Sequence, residues 1–235
     1  MRTSTKKRPI FKNREEAAHL LARKLLSYRG LKPLVLAVPR GGVPMGKIIS
    51  DELQGDLDVV LVHKLRAPGD PEYAIGAVSE GGTLYRPPYP QHYWIPKEYL
   101  DREIRNELHA LEQRRKLYTP HRSAINAANR IVILVDDGIA TGCTLLAAMG
   151  ELDSQKPAKV VVAAAVAPPE AVEKLRKEAD ELLILTVRPD FQAIGEFFND
   201  FSEVPDTEVI RILENHSHPK PGLSRDHAPL RGRIR

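Results

Sequence analysis

Residues 132–144 have the sequence VILVDDGIATGCT, the most informative segment of the chain. An uncharged, β-branched run ends in two carboxylates, and small residues and threonines follow. The pattern predicts a buried strand, a tight turn and the start of a helix at residues 141–144. Gly138 and Gly142 let main-chain N–H groups approach a ligand closely, and a helix start adds positive dipole character. The turn is therefore a candidate phosphate cradle.

The two carboxylates, Asp136 and Asp137, would repel a phosphate held in that turn. They fit a site in which they face the hydroxyls of a sugar, or magnesium, while the phosphate lies in the turn. The hydroxyls of Thr141 and Thr144 can add hydrogen bonds. The alternative is that Asp137 and Gly138 form an ordinary strand-ending turn and that Thr141 caps a helix.

Four other short apolar runs have the same strand-like character and alternate with helical segments. This alternation predicts an α/β fold with a mostly parallel sheet of about five core strands flanked by helices. The predicted strands are residues 34–38, 59–63, 131–135, 160–166 and 182–187. The predicted helices follow Asn13, cover residues 43–54 and 205–215, and begin near Thr141 and Pro168.

One domain is predicted over residues 1–215, followed by a flexible basic tail at 216–235. It contains a long insertion, residues 65–129, and a small hood at about 188–204. Within the insertion we expect a hairpin around Gly81 and Gly82, a stretch rich in proline and tyrosine, and a charged amphipathic helix over 96–118. An insertion of this length is typical of a lid or an interface, and both interpretations stay open, as does a homo-oligomer.

Composition excludes several classes of protein. The single cysteine, Cys143, excludes an internal disulfide framework and a cysteine-based zinc cluster. No apolar run is long enough for a membrane-spanning helix, and the first residues lack the apolar stretch of a secretory signal, so we expect a cytoplasmic protein without a membrane partner. The net charge of +4 comes from two basic ends, whereas residues 15–215 carry −6. This distribution argues against a nucleic-acid groove on the fold.

The run of apolar residues, Asp-Asp, small residues and Thr-Gly-x-Thr resembles the phosphoribosyl-diphosphate (PRPP) signature of type I phosphoribosyltransferases. The resemblance covers roughly residues 11–214. It implies an enzyme that transfers a 5-phosphoribosyl group from PRPP to a nitrogenous base and releases diphosphate. Asp136 and Asp137 would hold the ribose hydroxyls and contact magnesium, bound with PRPP, through water. The phosphate would bind the turn and the helix start, namely Gly138, Ile139, Ala140, Thr141, Gly142, Cys143 and Thr144.

The resemblance also assigns a diphosphate site. Residues 39–44, PRGGVP, stand where the family has its diphosphate-binding loop, and that loop leads us to expect a cis peptide at Arg40–Gly41. Arg40, Gly41 and Gly42 would hold the departing diphosphate. Lys64, just past the second predicted strand, matches the family's second cation at this site. Arg40 and Lys64 would act in catalysis together with the two carboxylates.

The acceptor site is less well marked. Relatives that act on 6-oxopurines carry an aspartate where this chain has Ala140, so the resemblance puts 6-oxopurine chemistry in doubt. The hood would supply an aromatic face for the base, with Phe191 the first choice and Phe197 the second. A hydrophobic patch that closes the edge of the sheet would explain both rings equally well.

Besides a nucleic-acid binder that acts through the basic tail at 216–235, two other functions are compatible with parts of the sequence. The first is a non-catalytic PRPP or nucleotide sensor on the same fold. The second is an ATPase, because residues 41–47 fit the first seven positions of a P-loop. Ile48 at the eighth position cannot bind magnesium as Ser or Thr would, and Pro44 removes one N–H donor, so the P-loop interpretation is disfavoured.

Overall fold

The computed structural model describes residues 9–86 and 95–217. The expected stretch rich in proline and tyrosine lies largely outside these residues, as do residues 1–8 and most of the expected tail. The strands are β1 (Leu34–Ala37), β2 (Asp56–Val59), β3 (Val62–Ala67), β4 (Asp70–Ser79), β5 (Leu84–Tyr85), β6 (Ile131–Asp136), β7 (Lys159–Ala167) and β8 (Glu181–Val187). The helices are α1 (Arg14–Lys24), α2 (Gly42–Leu53), α3 (Lys97–Tyr118), α4 (Cys143–Gln155), α5 (Pro169–Leu175) and α6 (Asp206–Ser217), and 3₁₀ turns cover Leu26–Tyr28 and Ile194–Phe197.

The central sheet contains five parallel strands in the order β2-β1-β6-β7-β8. Strands β1, β6 and β7 are almost wholly buried, because helices cover both faces of the sheet and a parallel sheet buries both faces. Along β1, for example, Val35 packs into the core on one face and Leu36 into the core on the other. The predicted α/β fold is therefore confirmed.

The second core strand was predicted in the wrong place. The sheet contains Asp56–Val59, whereas the prediction was residues 59–63. The apolar run continues past the end of β2, so hydrophobicity alone does not mark where the chain leaves the sheet. Asp58, which broke the apolar pattern, is nevertheless fully buried in β2. The chain then enters a different sheet at Val62.

The insertion includes β3 and so begins at Val62, three residues before its predicted start, and its strands pack against α4. Strands β3, β4 and β5 make an antiparallel sheet, and the predicted turn at Gly81 and Gly82 joins β4 to β5. The predicted helix within the insertion is confirmed as α3, which begins at Lys97. Helix α3 packs along β3, so the insertion has a hydrophobic core continuous with that of the main domain.

A buried carboxylate fastens the insertion to the central sheet. Asp58 accepts hydrogen bonds from the guanidinium groups of Arg115 at 3.1 Å and Arg122 at 2.9 Å. It also accepts from the main-chain N–H groups of Val59 and Ile125, at 2.8 and 2.9 Å. Arg115 reaches a second carboxylate, Glu80 at the end of β4, through its Nε at 2.8 Å. The buried charge is thus paired and fully hydrogen-bonded, as a charge removed from water requires.

The remaining differences from prediction are small. Helix α4 begins at Cys143, two residues later than predicted, and α6 continues to Ser217, two residues past its expected end. Asn13 caps α1 as expected, with its side chain accepting from the N–H of Glu16 at 3.0 Å. Within the described ranges, none of the helices combines the length and the apolar character needed to cross a bilayer.

Candidate functional site

Two loops lie side by side at the carboxyl edge of the sheet. Strands β1 and β6 are parallel neighbours with Ala37 opposite Val135, so the segments that follow them leave the sheet together. The N–H of Val38 donates to the carbonyl of Val135 at 2.9 Å and continues the pairing past β1. Ligands of α/β proteins bind at this edge because loops and helix starts converge there.

Between the loops is a cavity of about 250 Å³. It brings together most of the residues predicted from the sequence to bind PRPP. Its lining includes Arg40, Gly41, Lys64, Asp136, Asp137, Gly138, Ile139, Ala140, Thr141, Gly142 and Thr144. We call it the donor cavity. Gly42 and Cys143 are buried behind the lining, as the first residues of α2 and α4.

The β6–α4 turn has the conformation that its glycines permit. Gly142 lies in the left-handed region with φ +80°, which glycine adopts without the steric cost of a Cβ atom, and α4 starts at the next residue. A Cβ atom on Gly138 would lie 2.6 Å from Cγ2 of Ile194, so a larger residue would push the hood away from the turn. The turn thus presents main-chain N–H groups and the positive end of a thirteen-residue helix to the cavity.

The carboxylates Asp136 and Asp137 differ in their surroundings. Asp136 is half-buried, and its Oδ1 accepts from the N–H of Asp137 at 2.8 Å. Burial raises the pKa of Asp136 well above its ordinary value, and the neighbouring charge of Asp137 raises this pKa further. Asp137 is 7% exposed and has a cationic partner. Two adjacent acids at a cavity, one paired and one desolvated, indicate a functional site rather than an ordinary turn.

Arg14, the first residue of α1, is that partner, and the sequence pattern did not predict this role. Its Nε donates to Oδ2 of Asp137 at 2.8 Å, and its Nη1 donates to the carbonyl of Ser202 at 2.8 Å. Its guanidinium carbon lies 3.8 Å from the centre of the Phe201 ring. Arg14 therefore links the carboxylate pair to the hood. An arginine at a helix start usually faces water, and 123 positions separate it from Asp137, so no local signal identifies it.

Replacing Arg14 with lysine tests this link. An ammonium group cannot donate to Asp137 and Ser202 and also stack flat on Phe201. We expect Arg14→Lys to lower the free energy of unfolding by about 1–2 kcal/mol and to weaken PRPP binding several-fold. Denaturant titration and calorimetry measure the two effects. Arg23→Lys, on the exposed face of the same helix, is the matched control and should change neither; equal behaviour of the two variants would contradict the assignment.

The β1–α2 loop contains a cis peptide, one bond earlier than expected, at Pro39–Arg40 rather than at Arg40–Gly41. Gly41 lies against the carboxylate pair: a Cβ atom there would be 1.9 Å from Oδ2 of Asp137. The guanidinium of Arg40 is partly exposed and forms an ion pair with Glu203 of the hood. The two loops are therefore in contact, and the hood touches both.

Lys64 reaches the donor cavity from the insertion. It was expected just past the second core strand, but it lies within β3 of the antiparallel sheet. Its side chain is exposed and has no hydrogen bond or ion pair to the residues described, 9–86 and 95–217. The insertion thus contributes one cation to the cavity and Arg40 contributes another.

The hood aromatics do not line the donor cavity. Phe197 is 3% exposed and packs into the main core, so it offers little surface to an acceptor base. Phe191 is half-buried and stacks on Phe197 with ring centres 5.6 Å apart. Among the cavity residues, the hood contributes Ile194. The alternative assignment of these rings, to a patch that closes the edge of the sheet, fits Phe197.

The residues fit magnesium only as an ion that arrives with its ligand. Magnesium takes oxygen ligands in an octahedral shell and usually keeps several waters. Asp137 is already paired with Arg14, and the described parts of the chain contain no cluster of three or more His, Cys, Asp or Glu that could hold a metal. Asp136 and Asp137 could contact a hydrated magnesium ion whose other ligands come from a bound diphosphate.

Comparisons with known proteins agree with this geometry. The model of the phosphoribosyl transferase domain family matches residues 9–197. The curated protein "Putative phosphoribosyl transferase Rv0571c" of Mycobacterium tuberculosis is 34% identical over 206 residues, which is 87% of this chain and 46% of that protein. The chain thus spans about half the length of the curated relatives it matches. The crystal structure of TT1426 from Thermus thermophilus is 44% identical, with a TM-score of 0.75 over 89% of this chain and 99% of that one. The chain belongs to the phosphoribosyl transferase domain family.

Proposed function

We propose that this protein transfers a 5-phosphoribosyl group from PRPP to a nitrogenous base and releases diphosphate. One observation carries the proposal: anion-binding groups and a carboxylate pair from separate loops line a single cavity. The positions of these groups suit a donor that has a phosphate at one end, a sugar in the middle and a diphosphate at the other end. Cytoplasmic residence and magnesium dependence are part of the same proposal.

Binding of the donor would use the two loops differently. The 5-phosphate would accept hydrogen bonds from the turn between Gly138 and Gly142, next to the start of α4. The ribose hydroxyls would donate to Asp136 and Asp137, while Arg14 keeps Asp137 in place. Fixing both ends of the sugar ring positions the anomeric carbon and converts phosphate binding energy into orientation.

The reaction would be driven by electrostatics. A nitrogen lone pair of the base forms the new bond to the anomeric carbon, and the carbon–oxygen bond to diphosphate breaks with its electron pair on the diphosphate. Positive charge develops on the ribose ring, near the carboxylates. Negative charge develops on the leaving group, where Arg40 and Lys64 would stabilise it. Bound magnesium would supply further charge neutralisation at the diphosphate.

The solvent-exposed ion pair between Arg40 and Glu203 would affect how diphosphate binds. A diphosphate held by Arg40 has to replace the Glu203 carboxylate, which is mostly exposed. An exposed ion pair contributes little free energy, about 0–1 kcal/mol, so this replacement is inexpensive. Donor binding would therefore release the hood from the β1–α2 loop.

Calorimetry and diphosphate release test the proposal together. With magnesium present, we expect PRPP to bind and at least one of a panel of nitrogenous bases to trigger diphosphate release. Binding without release for every base would favour the sensor, which has the same cavity but no transfer step. A flat isotherm at millimolar PRPP would contradict both functions.

A further inference from the structure

A second cavity, of about 530 Å³, adjoins the donor cavity. The two cavities share four lining residues, Val38, Pro39, Lys64 and Thr144. The rest of the second cavity is built by the insertion, from β3, β4 and α3. A ligand there would lie next to the donor, on the side away from the hood. We call it the insertion cavity.

Three cations face the insertion cavity. Lys64 and Arg66 are exposed on one side of β3, because side chains two positions apart in a strand lie on the same face, and Leu65 between them is buried. Arg114 of α3 completes the set. Among the residues described, 9–86 and 95–217, none of the three side chains has a hydrogen bond or an ion pair to another residue.

Hydrogen bonds hold the main chain that carries these cations, although the charged ends have no partner among residues 9–86 and 95–217. The main chain of Arg66 is held on both sides: its carbonyl accepts from the hydroxyl of Tyr99 at 3.1 Å, and its N–H donates to Glu103 at 3.2 Å. Both partners are on α3, the helix that carries Arg114. Strand and helix are therefore fixed relative to one another, and the cationic lining is in place before a ligand binds.

The carboxylate on the lining does not cancel this charge. Glu107 is engaged by His63, whose Nδ1 lies 2.6 Å from Oε2 of Glu107, and both side chains are about one-fifth exposed. Glu107 and Arg114 lie seven residues apart on α3, on the same helix face, yet no ion pair joins them. A concave surface with three cations and one engaged carboxylate concentrates positive potential and favours an anion.

We propose that the insertion cavity binds a phosphate-bearing co-substrate while PRPP occupies the donor cavity. This inference rests on the proposed function, because it assigns the chemical class of the acceptor. Arginine side chains recognise phosphate through paired, charge-assisted hydrogen bonds, and two of the three cations are arginines. Lys64 also faces the donor cavity, where it would serve the diphosphate together with Arg40, so Arg66 and Arg114 are the cations additional to those the donor requires.

Titration of inorganic phosphate into protein saturated with PRPP and magnesium tests the proposal by calorimetry. We expect phosphate to bind to the saturated protein. Arg114→Gln and Arg66→Gln should each weaken this binding at least tenfold, since a hydrogen bond to a charged group is worth about 1.5–3 kcal/mol. The affinity for PRPP should stay unchanged in both variants.

Arg105→Gln is the matched control, because it removes one exposed cation from the same helix but lies off the cavity lining. It should bind phosphate like the unmodified protein. Phosphate that fails to bind at millimolar concentration, or variants indistinguishable from Arg105→Gln, would overturn the proposal. Phosphate or diphosphate that binds only without PRPP and competes with it would assign these cations to the donor's leaving group. That result would contradict the second site but would leave the proposed function intact. If PRPP itself does not bind, the proposed function fails, and the phosphate titration alone decides whether the cavity is an anion site.

Discussion

Replacing Gly41 with alanine is expected to reduce the affinity for PRPP at least about 100-fold, because the added methyl group has no room. Its Cβ would lie 1.9 Å from Oδ2 and 2.7 Å from Cγ of Asp137, and 3.1 Å from Nε of Arg14. Asp137 cannot swing aside without breaking its ion pair with Arg14. Either the β1–α2 loop moves away from the carboxylates or the pair is broken, and in both cases the donor cavity loses its shape. Calorimetric titration with PRPP and magnesium measures the loss.

Two controls separate this clash from a general effect on folding. Gly150→Ala adds the same methyl group within α4, where the nearest atom is Cγ2 of Thr83 at 3.1 Å, and should keep wild-type affinity. Gly41→Ala combined with Asp137→Ala removes both clashing atoms, so it should be no less stable than Asp137→Ala alone, yet still bind PRPP poorly. A Gly41→Ala variant with wild-type affinity would show that the loop and the carboxylates are not packed as described.

Replacing Asp58 with alanine is expected to lower the free energy of unfolding by about 3–5 kcal/mol. Asp58 is fully buried, and its carboxylate serves two guanidinium groups and two main-chain N–H groups. Without it, Arg115 and Arg122 keep their charges in partly buried positions but lose this carboxylate. The insertion also loses its hydrogen bonds to the carboxylate on β2. Denaturant unfolding followed by circular dichroism measures the change.

Asp56→Ala is the matched control for that measurement. Asp56 belongs to the same strand and has one arginine partner, Arg130, at 2.6 Å, but its side chain is 58% exposed. An exposed pair is worth about 0–1 kcal/mol, so this variant should remain close to wild-type stability. Equal destabilisation of the two variants would mean that burial does not determine how much the Asp58 hydrogen bonds contribute to the free energy of unfolding.

Much of the donor cavity was predictable because its signal is local. Residues 132–144 contain the strand, the turn and the helix start in one continuous segment. The glycines in this segment indicate directly where the backbone turns. The positions of Arg40 and the carboxylates followed from the rule that parallel strands end at one edge of a sheet. Those expectations required only that the five apolar runs form one sheet.

Features that depend on distant contacts were missed or misplaced. An apolar run does not record which of its residues joins a sheet, so β2 was predicted three residues too late and Lys64 was assigned to the wrong element. The insertion cavity exists because α3 folds back along β3. The sequence of neither segment alone predicts that the two will pack together.

The amino-acid order alone established the α/β class, the carboxylate-and-glycine turn and the family resemblance, because each depends on neighbours in the chain. Folding established the partner of Asp137, the burial of Phe197, the anchoring of the insertion by Asp58, and the cluster of three cations beside the donor cavity. These depend on side chains that meet across tens to more than a hundred positions. Charge pairing and burial depend on which distant side chains come into contact. Hydrophobic periodicity does not indicate which charged residues will do so.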